Sequence, residues 1–136
     1  MSARLTRQYV FRALHCLENR ALDPAANERL YGMCYRQHGH HYKVQVTVEG
    51  SIDPNTGLCC DRDLLDQIVN KYLIEPFDGQ DLNALFSNTA GEALAYEFYQ
   101  LLAPHLAPMK LSKVGIQETR KNWFEYSAEL QTGYNF

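Results

Sequence analysis

The chain has 136 residues, 46% of them hydrophobic, and a formal net charge of −3. This length predicts one domain over residues 1–136, with enough apolar residues for its own core. Because the charge is balanced and forms no long run of one sign, we expect neither nucleic acid nor an anionic membrane surface as a partner.

Membrane and secretory features are also missing from the sequence. The longest uncharged segment, 98–109, is too short to cross a bilayer and contains two prolines. The N-terminus lacks the apolar stretch and cleavage pattern of a secretory signal. The cysteines have no C-x-x-C spacing and are too sparse for a disulfide framework. We therefore expect a soluble protein of the reducing cytoplasm.

Alternating hydrophobicity predicts two strands in the first half of the chain. In Leu5–His15 the odd-numbered positions share one apolar face, and in His38–Gly50 the alternation of apolar and polar residues is cleaner. Between them, residues 18–28 are rich in Asn, Asp, Pro and Ala, which indicates a loop. The turn formers of 50–57 end the second strand.

Helical spacing predicts two helices in the middle of the chain. The first follows Asp61 as N-cap. Its apolar positions are Leu64, Leu65, Ile68, Val69, Tyr72 and Leu73. The second begins near Thr89, which has capping-box spacing with Glu92, and ends before Pro104. Its buried stripe is predicted to contain Leu94, Phe98, Leu101 and Leu102.

Two more strands are predicted at the C-terminal end, Leu111–Thr119 and Trp123–Leu130. The element order is therefore ββααββ. Hairpins at both ends of the chain favour a four-stranded antiparallel sheet with both helices on one face, an α+β fold. The opposite face of the sheet is left to solvent or to another subunit.

Three histidines fall on compatible strand faces. His38 and His40 are two residues apart and therefore share one face, while His15 ends the apolar face of the first strand. If the two strands are neighbours, the three imidazoles can converge. Three histidines with an open fourth position are the ligand set of a catalytic zinc site. The alternative for each is a hydrogen-bonded histidine of the core.

A thiol and a carboxylate are further candidates for chemistry. Cys34 lies four residues before His38, and a thiol close to a divalent cation can ionise and act as nucleophile or base. A buried structural cysteine is the alternative. Strand parity puts Glu118 on the apolar face of its strand, where an unpaired carboxylate is costly. A ligand with adjacent N–H donors would satisfy it, as would an ion pair or water.

Four segments, taken together, resemble the family of 6-pyruvoyl tetrahydropterin synthases and 6-carboxytetrahydropterin synthases. They are Phe-Arg-Ala-Leu-His at 11–15, the segment 31–42 that holds Cys34 and His-Gly-His, Gly-Ser-Ile-Asp-Pro-Asn-Thr-Gly at 50–57, and Gln-Glu-Thr at 117–119. The resemblance covers nearly the whole chain. It implies the T-fold, in which subunits join their sheets into a barrel, usually a hexamer of two stacked trimers.

The resemblance also implies residue roles. His15, His38 and His40 match the Zn²⁺ ligands, Cys34 matches the proton-abstracting base, and Glu118 matches the carboxylate that anchors the pterin ring. The implied substrate is 7,8-dihydroneopterin triphosphate.

Two positions depart from the family pattern. Asp78 matches the aspartate of an Asp-His relay pair, but Gly79 stands in place of the histidine. Ala90 stands in place of a threonine that contacts the pterin.

The resemblance leaves three products or roles open. The short spacing from Cys34 to His38 is similar to the carboxy enzymes, whereas the loop 18–33 is more like the animal pyruvoyl enzymes. On this basis we expect a zinc-dependent lyase that forms 6-carboxy-5,6,7,8-tetrahydropterin in the queuosine pathway. The alternatives are 6-pyruvoyl tetrahydropterin synthesis in the biopterin pathway, or a divergent paralogue with altered side-chain cleavage or pterin binding without turnover.

Overall fold

A computed structural model of the chain describes residues 1–129. The strands are β1 (Ser2–His15), β2 (His38–Ser51), β3 (Lys110–Thr119) and β4 (Asn122–Tyr126). The helices are α1 (Pro24–Tyr31), α2 (Arg62–Val69), α3 (Glu75–Phe77) and α4 (Gly91–Leu102). A π-helical turn, Asn70–Ile74, joins α2 to α3, and short 3₁₀ turns cover Gly32–Tyr35, Leu82–Ala84 and Ala103–His105.

The strands form one antiparallel sheet, as predicted, and its strand order is β1-β2-β3-β4. The apolar residues of β1, β2 and β3 meet the buried residues of α2 and α4 on one face, which confirms the α+β fold. The largest members of this core include Phe11, Tyr42, Leu65, Leu94, Phe98 and Ile116. The other face is exposed at Val10, Leu14 and Trp123. None of the helices within residues 1–129 is long and apolar enough to cross a membrane.

The prediction of a loop over 18–28 is wrong, because α1 begins inside that segment. Asp23 is its N-cap, with Oδ1 accepting a hydrogen bond of 2.8 Å from the amide of Ala26. Pro24 occupies the first helical position, where its missing N–H has no intrahelical partner to lose. The Asp-Pro pair at 23–24 is a helix-start signal, but the loop-like composition of 18–28 favoured the wrong prediction.

The predicted cap of the second helix is also wrong. Helix α4 starts at Gly91 with Ala90 as N-cap, and no side chain caps it. The Thr89 hydroxyl instead donates to the carbonyl of Cys16 at 3.0 Å. Leu101, predicted to be buried, is exposed. A tertiary contact has therefore replaced the local capping bond.

Strand β4 is shorter than predicted. It pairs with β3 and ends at Tyr126. Residues 127–129 do not continue the strand, and the predicted end at Leu130 lies outside the described residues.

The end of β1, the start of β2 and the end of β3 lie together at one end of the sheet. This end carries the candidate site.

Candidate metal and ligand site

The register of β1 and β2 brings the three predicted histidines together. His15 pairs with His38, and Ala13 pairs with His40. The ring centres are 4.5 Å apart for His15 and His38, 4.9 Å for His15 and His40, and 4.7 Å for His38 and His40. One potential ligand atom from each ring lies within 4.8 Å of the others. These spacings allow a single ion to touch all three rings.

Backbone carbonyls orient two of the rings. His15 Nδ1 lies 3.1 Å from the carbonyl oxygen of Thr89, and His38 Nδ1 lies 2.7 Å from that of Arg36. Since a carbonyl oxygen can only accept, each Nδ1 carries the proton and each Nε2 has a free lone pair. Second partners of this kind fix the orientation of metal-binding histidines in proteins.

The environment of His15 and His40 favours the neutral form of their rings. Burial is the main cause that lowers the pKa of His15 to about 4, and the neighbouring imidazoles lower it further, while the bond to Thr89 opposes them. Burial, followed by the charge of His38, also lowers the pKa of His40. A neutral imidazole is the form that binds a metal ion.

The chemistry of this donor set fits a divalent metal. His15 is 1% exposed, yet its Nε2 has no hydrogen-bond partner. An unsatisfied buried nitrogen is costly, and a metal ion would remove that cost. His15, His38 and His40 can therefore hold a metal, with space for a further ligand.

Glu118 and Tyr42 extend the site across the sheet. Among the described residues, Tyr42 Oη and Glu118 Oε1 are also buried without a partner. The Tyr42 ring lies 5.5 Å from the ring of His40. Burial, followed by the charge of Glu92, raises the pKa of Glu118 to about 7. The predicted position of Glu118 among apolar residues agrees with this burial.

Sequence reasoning missed two contributors to the site. Tyr42 is not among the predicted site residues, although it lies two residues beyond His40 on the same strand face and could have been found by that parity. Thr89 was predicted as a helix cap, whereas its carbonyl orients His15. No local signal could reveal that contact, because 74 positions separate the two residues.

A depression of about 600 Å³ opens beside the imidazoles. His40 and Glu118 line it, together with Arg12 and Gly79. Gly79 has a φ of 76°, and a β-carbon at this position would meet nothing within 4 Å. The depression thus joins a metal-binding group, a carboxylate and open space in one cavity large enough for a small molecule.

Cys34 lies on the 3₁₀ turn that follows α1, and its side chain is exposed. Its carbonyl accepts a hydrogen bond of 2.7 Å from the amide of Leu17, two residues beyond His15. Within residues 1–129, the cluster of ligand-type side chains contains the three imidazoles and not this thiol. The backbone of Cys34 is therefore held next to the end of β1.

Asp78 and Gly79 run along the outer edge of β1. Asp78 Oδ1 accepts a bond of 2.9 Å from the amide of Arg12, and the Gly79 amide donates to the Arg12 carbonyl at 2.6 Å. These bonds cover part of an edge that would otherwise expose unpaired backbone groups. Asp78 is thus tied to the strand that carries His15.

Comparison with known proteins gives a consistent result. The family model "6-pyruvoyl tetrahydropterin synthase" matches residues 4–129. The chain is 33% identical over 132 residues to a 6-pyruvoyl tetrahydrobiopterin synthase of Poecilia reticulata, covering 92% of this chain and 90% of that protein. It is 32% identical to the Homo sapiens protein of the same name over 134 residues, 93% of this chain and 92% of that one.

A solved structure agrees with these sequence matches. The Caenorhabditis elegans 6-pyruvoyl tetrahydropterin synthase superposes with a TM-score of 0.86 at 28% identity. The match covers 94% of this chain and 96% of that one. The similarity therefore extends over the whole fold, including the sheet end that carries the three imidazoles.

Proposed function

Because the chain belongs to the 6-pyruvoyl tetrahydropterin synthase family, we propose that it is a zinc-dependent lyase that converts 7,8-dihydroneopterin triphosphate to 6-pyruvoyl tetrahydropterin. The observation that carries this proposal is the cluster of three imidazoles next to the carboxyl group of Glu118, whose Oε1 is buried. The names of the relatives favour the pyruvoyl product over the carboxy product that the Cys34 to His38 spacing suggested.

Zinc is the metal proposed for the three imidazoles. Neutral nitrogen ligands suit it, and three protein ligands with an open position are typical of its catalytic sites. His15, His38 and His40 would hold the ion, and in His15 and His38 the Nε2 atom would bind it, because Nδ1 is bonded to a backbone carbonyl. Bound there, zinc would supply Lewis acidity and acidify the carbon-bound hydrogens of the substrate side chain.

Glu118 is proposed to bind the pterin ring. An ionised carboxylate accepts two N–H bonds from adjacent donors of a planar ring, which would satisfy the buried Oε1. The Tyr42 hydroxyl, also without a partner, offers a donor on the same side of the sheet. These two groups would orient the ring and so place its side chain towards the imidazoles.

Cys34 is proposed as the base that removes a proton from a substrate carbon, after which triphosphate leaves and the side chain rearranges. Its exposure gives a ligand access to the thiol, and its backbone is bonded beside the end of β1. Asp78 is proposed to carry protons to and from the reacting side chain. With Gly79 in place of the relay histidine, this step has one fewer proton carrier.

We further propose that subunits join through their sheets into a barrel, as a hexamer of two trimers. Two observations support this assembly. β1 is a 14-residue edge strand, and the sheet face opposite the helices exposes Val10, Leu14 and Trp123. Edge strands of this length are normally covered in a native assembly.

The test is to incubate zinc-loaded protein with 7,8-dihydroneopterin triphosphate and to identify the pterin products by mass. We expect 6-pyruvoyl tetrahydropterin and free triphosphate. Cys34→Ala should abolish product formation while zinc stays bound, and Cys59→Ala, which changes a thiol in the connection between β2 and α2, is the matched control. Formation of 6-carboxy-5,6,7,8-tetrahydropterin instead would indicate the activity of the carboxy branch of the family.

Pterin binding without turnover is the second candidate, favoured by Gly79 at the relay position. In that case no product forms, but pterin still binds and Glu118→Ala abolishes the binding. Equal loss of pterin and zinc binding in Glu118→Ala would instead contradict the anchoring role of this carboxylate.

A further inference from the structure

Helix α1 is held to the protein in an unusual way. A short surface helix normally packs through an apolar stripe. Of the eight residues of α1, all within the described part of the chain, only Asn27 is buried. Leu30, on the same helix, and Leu22, just before it, are exposed. Apolar packing therefore does not fix the position of this helix.

The Asn27 side chain makes the bonds that hold the segment closed. Its Oδ1 accepts from the amide of Asn19 at 2.7 Å. Its Nδ2 donates to the carbonyls of Asn19, Leu22 and Asp23 at 3.0, 3.2 and 3.2 Å. Both polar atoms are thus satisfied by the loop that leads from β1 into α1. With 3% of its surface exposed, Asn27 is shielded from competing water.

The far end of α1 leads directly to Cys34. Gly32 ends the helix with φ 58° and ψ −130°, a conformation that favours glycine, and its amide caps the carbonyl of Glu28. The 3₁₀ turn that follows carries Cys34, whose carbonyl bonds the Leu17 amide. The position of the thiol therefore depends on where α1 is held.

We infer that Asn27 is a positioning residue that sets the location of Cys34 relative to the three imidazoles. The inference rests on the proposed role of Cys34 as base. Asn27 does not touch the imidazoles. It closes the loop from Asn19 to Asp23, the loop fixes α1, and α1 fixes the turn that holds the thiol. Displacement of a reacting group by about 1 Å can cost about a hundredfold in rate.

Asn27→Ala is the direct test, because it removes all four bonds while alanine favours helix. Arg29→Ala, an exposed position of the same helix, is the matched control. If Asn27→Ala does not yield folded protein, Asn27→Ser replaces it. The serine hydroxyl is a shorter donor and acceptor and can keep only part of the four bonds.

Three readouts separate positioning from general destabilisation. We expect Asn27→Ala to lower kcat by about tenfold to a hundredfold with KM nearly unchanged. Amide exchange of Leu17 should rise by about tenfold, because its acceptor moves with the segment. The Leu14 amide, which bonds the carbonyl of Gln80 at 2.9 Å, should keep its protection. Zinc content should be unchanged, because β1 and β2 carry the ligands.

The outcomes that overturn the inference are distinct from failure of the proposed function. Unchanged Leu17 exchange in folded Asn27→Ala, or faster exchange with unchanged kcat, would show that Asn27 does not position Cys34. Loss of zinc in the same variant would mean that it acts through the metal site. If the unaltered protein does not turn over at all, the proposed function fails. The inference is then decided by the amide exchange of Leu17 and the alkylation rate of Cys34, and it is overturned if Asn27→Ala changes neither.

Discussion

The Tyr42 hydroxyl and Glu118 Oε1 lie on neighbouring strands of one sheet, and both atoms are buried without a hydrogen-bond partner. Tyr42 precedes Lys43 on β2 and Glu118 follows Gln117 on β3, and Lys43 and Gln117 are paired in the antiparallel register. Proximity to the carboxylate contributes, after burial, to a raised pKa of Tyr42. Buried polar groups of this kind are rare in native proteins unless a ligand completes them.

Removing the Tyr42 hydroxyl separates its cost to folding from its use in binding. Without ligand, Tyr42→Phe should be as stable as the unaltered protein or slightly more stable, because an unsatisfied buried hydroxyl costs about 1–3 kcal/mol. Pterin affinity should fall by about tenfold, which corresponds to one lost hydrogen bond. Thermal unfolding and titration with 7,8-dihydroneopterin measure the two effects.

Tyr99→Phe is the matched control for that substitution. The Tyr99 hydroxyl donates to the carbonyl of Leu111 at 3.1 Å, away from the candidate site. Its removal should destabilise the fold by about 1 kcal/mol and leave pterin affinity unchanged. Equal behaviour of the two variants would show that the Tyr42 hydroxyl has no role in binding.

The metal prediction depends on strand parity. The unaltered protein should contain about one zinc ion per chain, and His40→Ala should lose most of it. His41→Ala changes the adjacent histidine, which points to the opposite face, and should retain the metal. Metal analysis of protein purified without added zinc measures both. Unchanged zinc in His40→Ala would rule out the three-imidazole site.

The raised pKa of Glu118 predicts that the stability of the folded protein depends on pH. The ordinary pKa of 4.5 applies to the unfolded chain, and burial raises the folded pKa to about 7. The protonated carboxyl therefore favours the fold below about pH 4.5, and this contribution is lost as the pH rises through about 7. Without ligand, Glu118→Gln should raise the Tm by a few degrees at pH 8, and this gain should be smallest near pH 4.5.

Glu125→Gln controls for loss of a carboxylate as such. Glu125 is exposed on β4 and forms a 3.3 Å ion pair with Lys113. The unfolding temperature of this variant should follow that of the unaltered protein between pH 4.5 and pH 8, because exposed ion pairs contribute little. A pH-independent gain in Glu118→Gln would mean that the Glu118 carboxyl is not held in its protonated form.

Gly79→His tests whether the missing relay histidine limits the reaction. The cavity has room for the side chain, but the φ of 76° should cost about 1–2 kcal/mol of stability for a residue with a β-carbon. We expect a higher kcat, since a positioned acid or base typically contributes at least about a hundredfold. Gly79→Gln, which also places a β-carbon at this φ but supplies no imidazole, should lose stability and gain no rate.

The sequence determined the local features of this protein. Strand alternation placed His38 and His40 on one face and Glu118 among apolar residues, because the two-residue period of a strand is a local property. The same parity put His15 at the end of the apolar face of the first strand, so that the three imidazoles could converge if the two strands paired. The same local reasoning failed at α1, where a loop-like composition concealed the Asp-Pro helix start, and at Thr89, where a tertiary contact outweighed the capping preference.

Only the tertiary structure decided how these groups meet. The pairing of β1 with β2 set His15 opposite His38, and the segment just before α4 brought the Thr89 carbonyl that orients the His15 ring. The raised pKa of Glu118 likewise depends on burial and on Glu92, which is distant in sequence. Register, desolvation and bonds from side chains to the backbone are properties of the packed chain. A pattern of residue types therefore identifies the candidate site residues. The packing determines which of their groups are ionised, oriented or left without a partner.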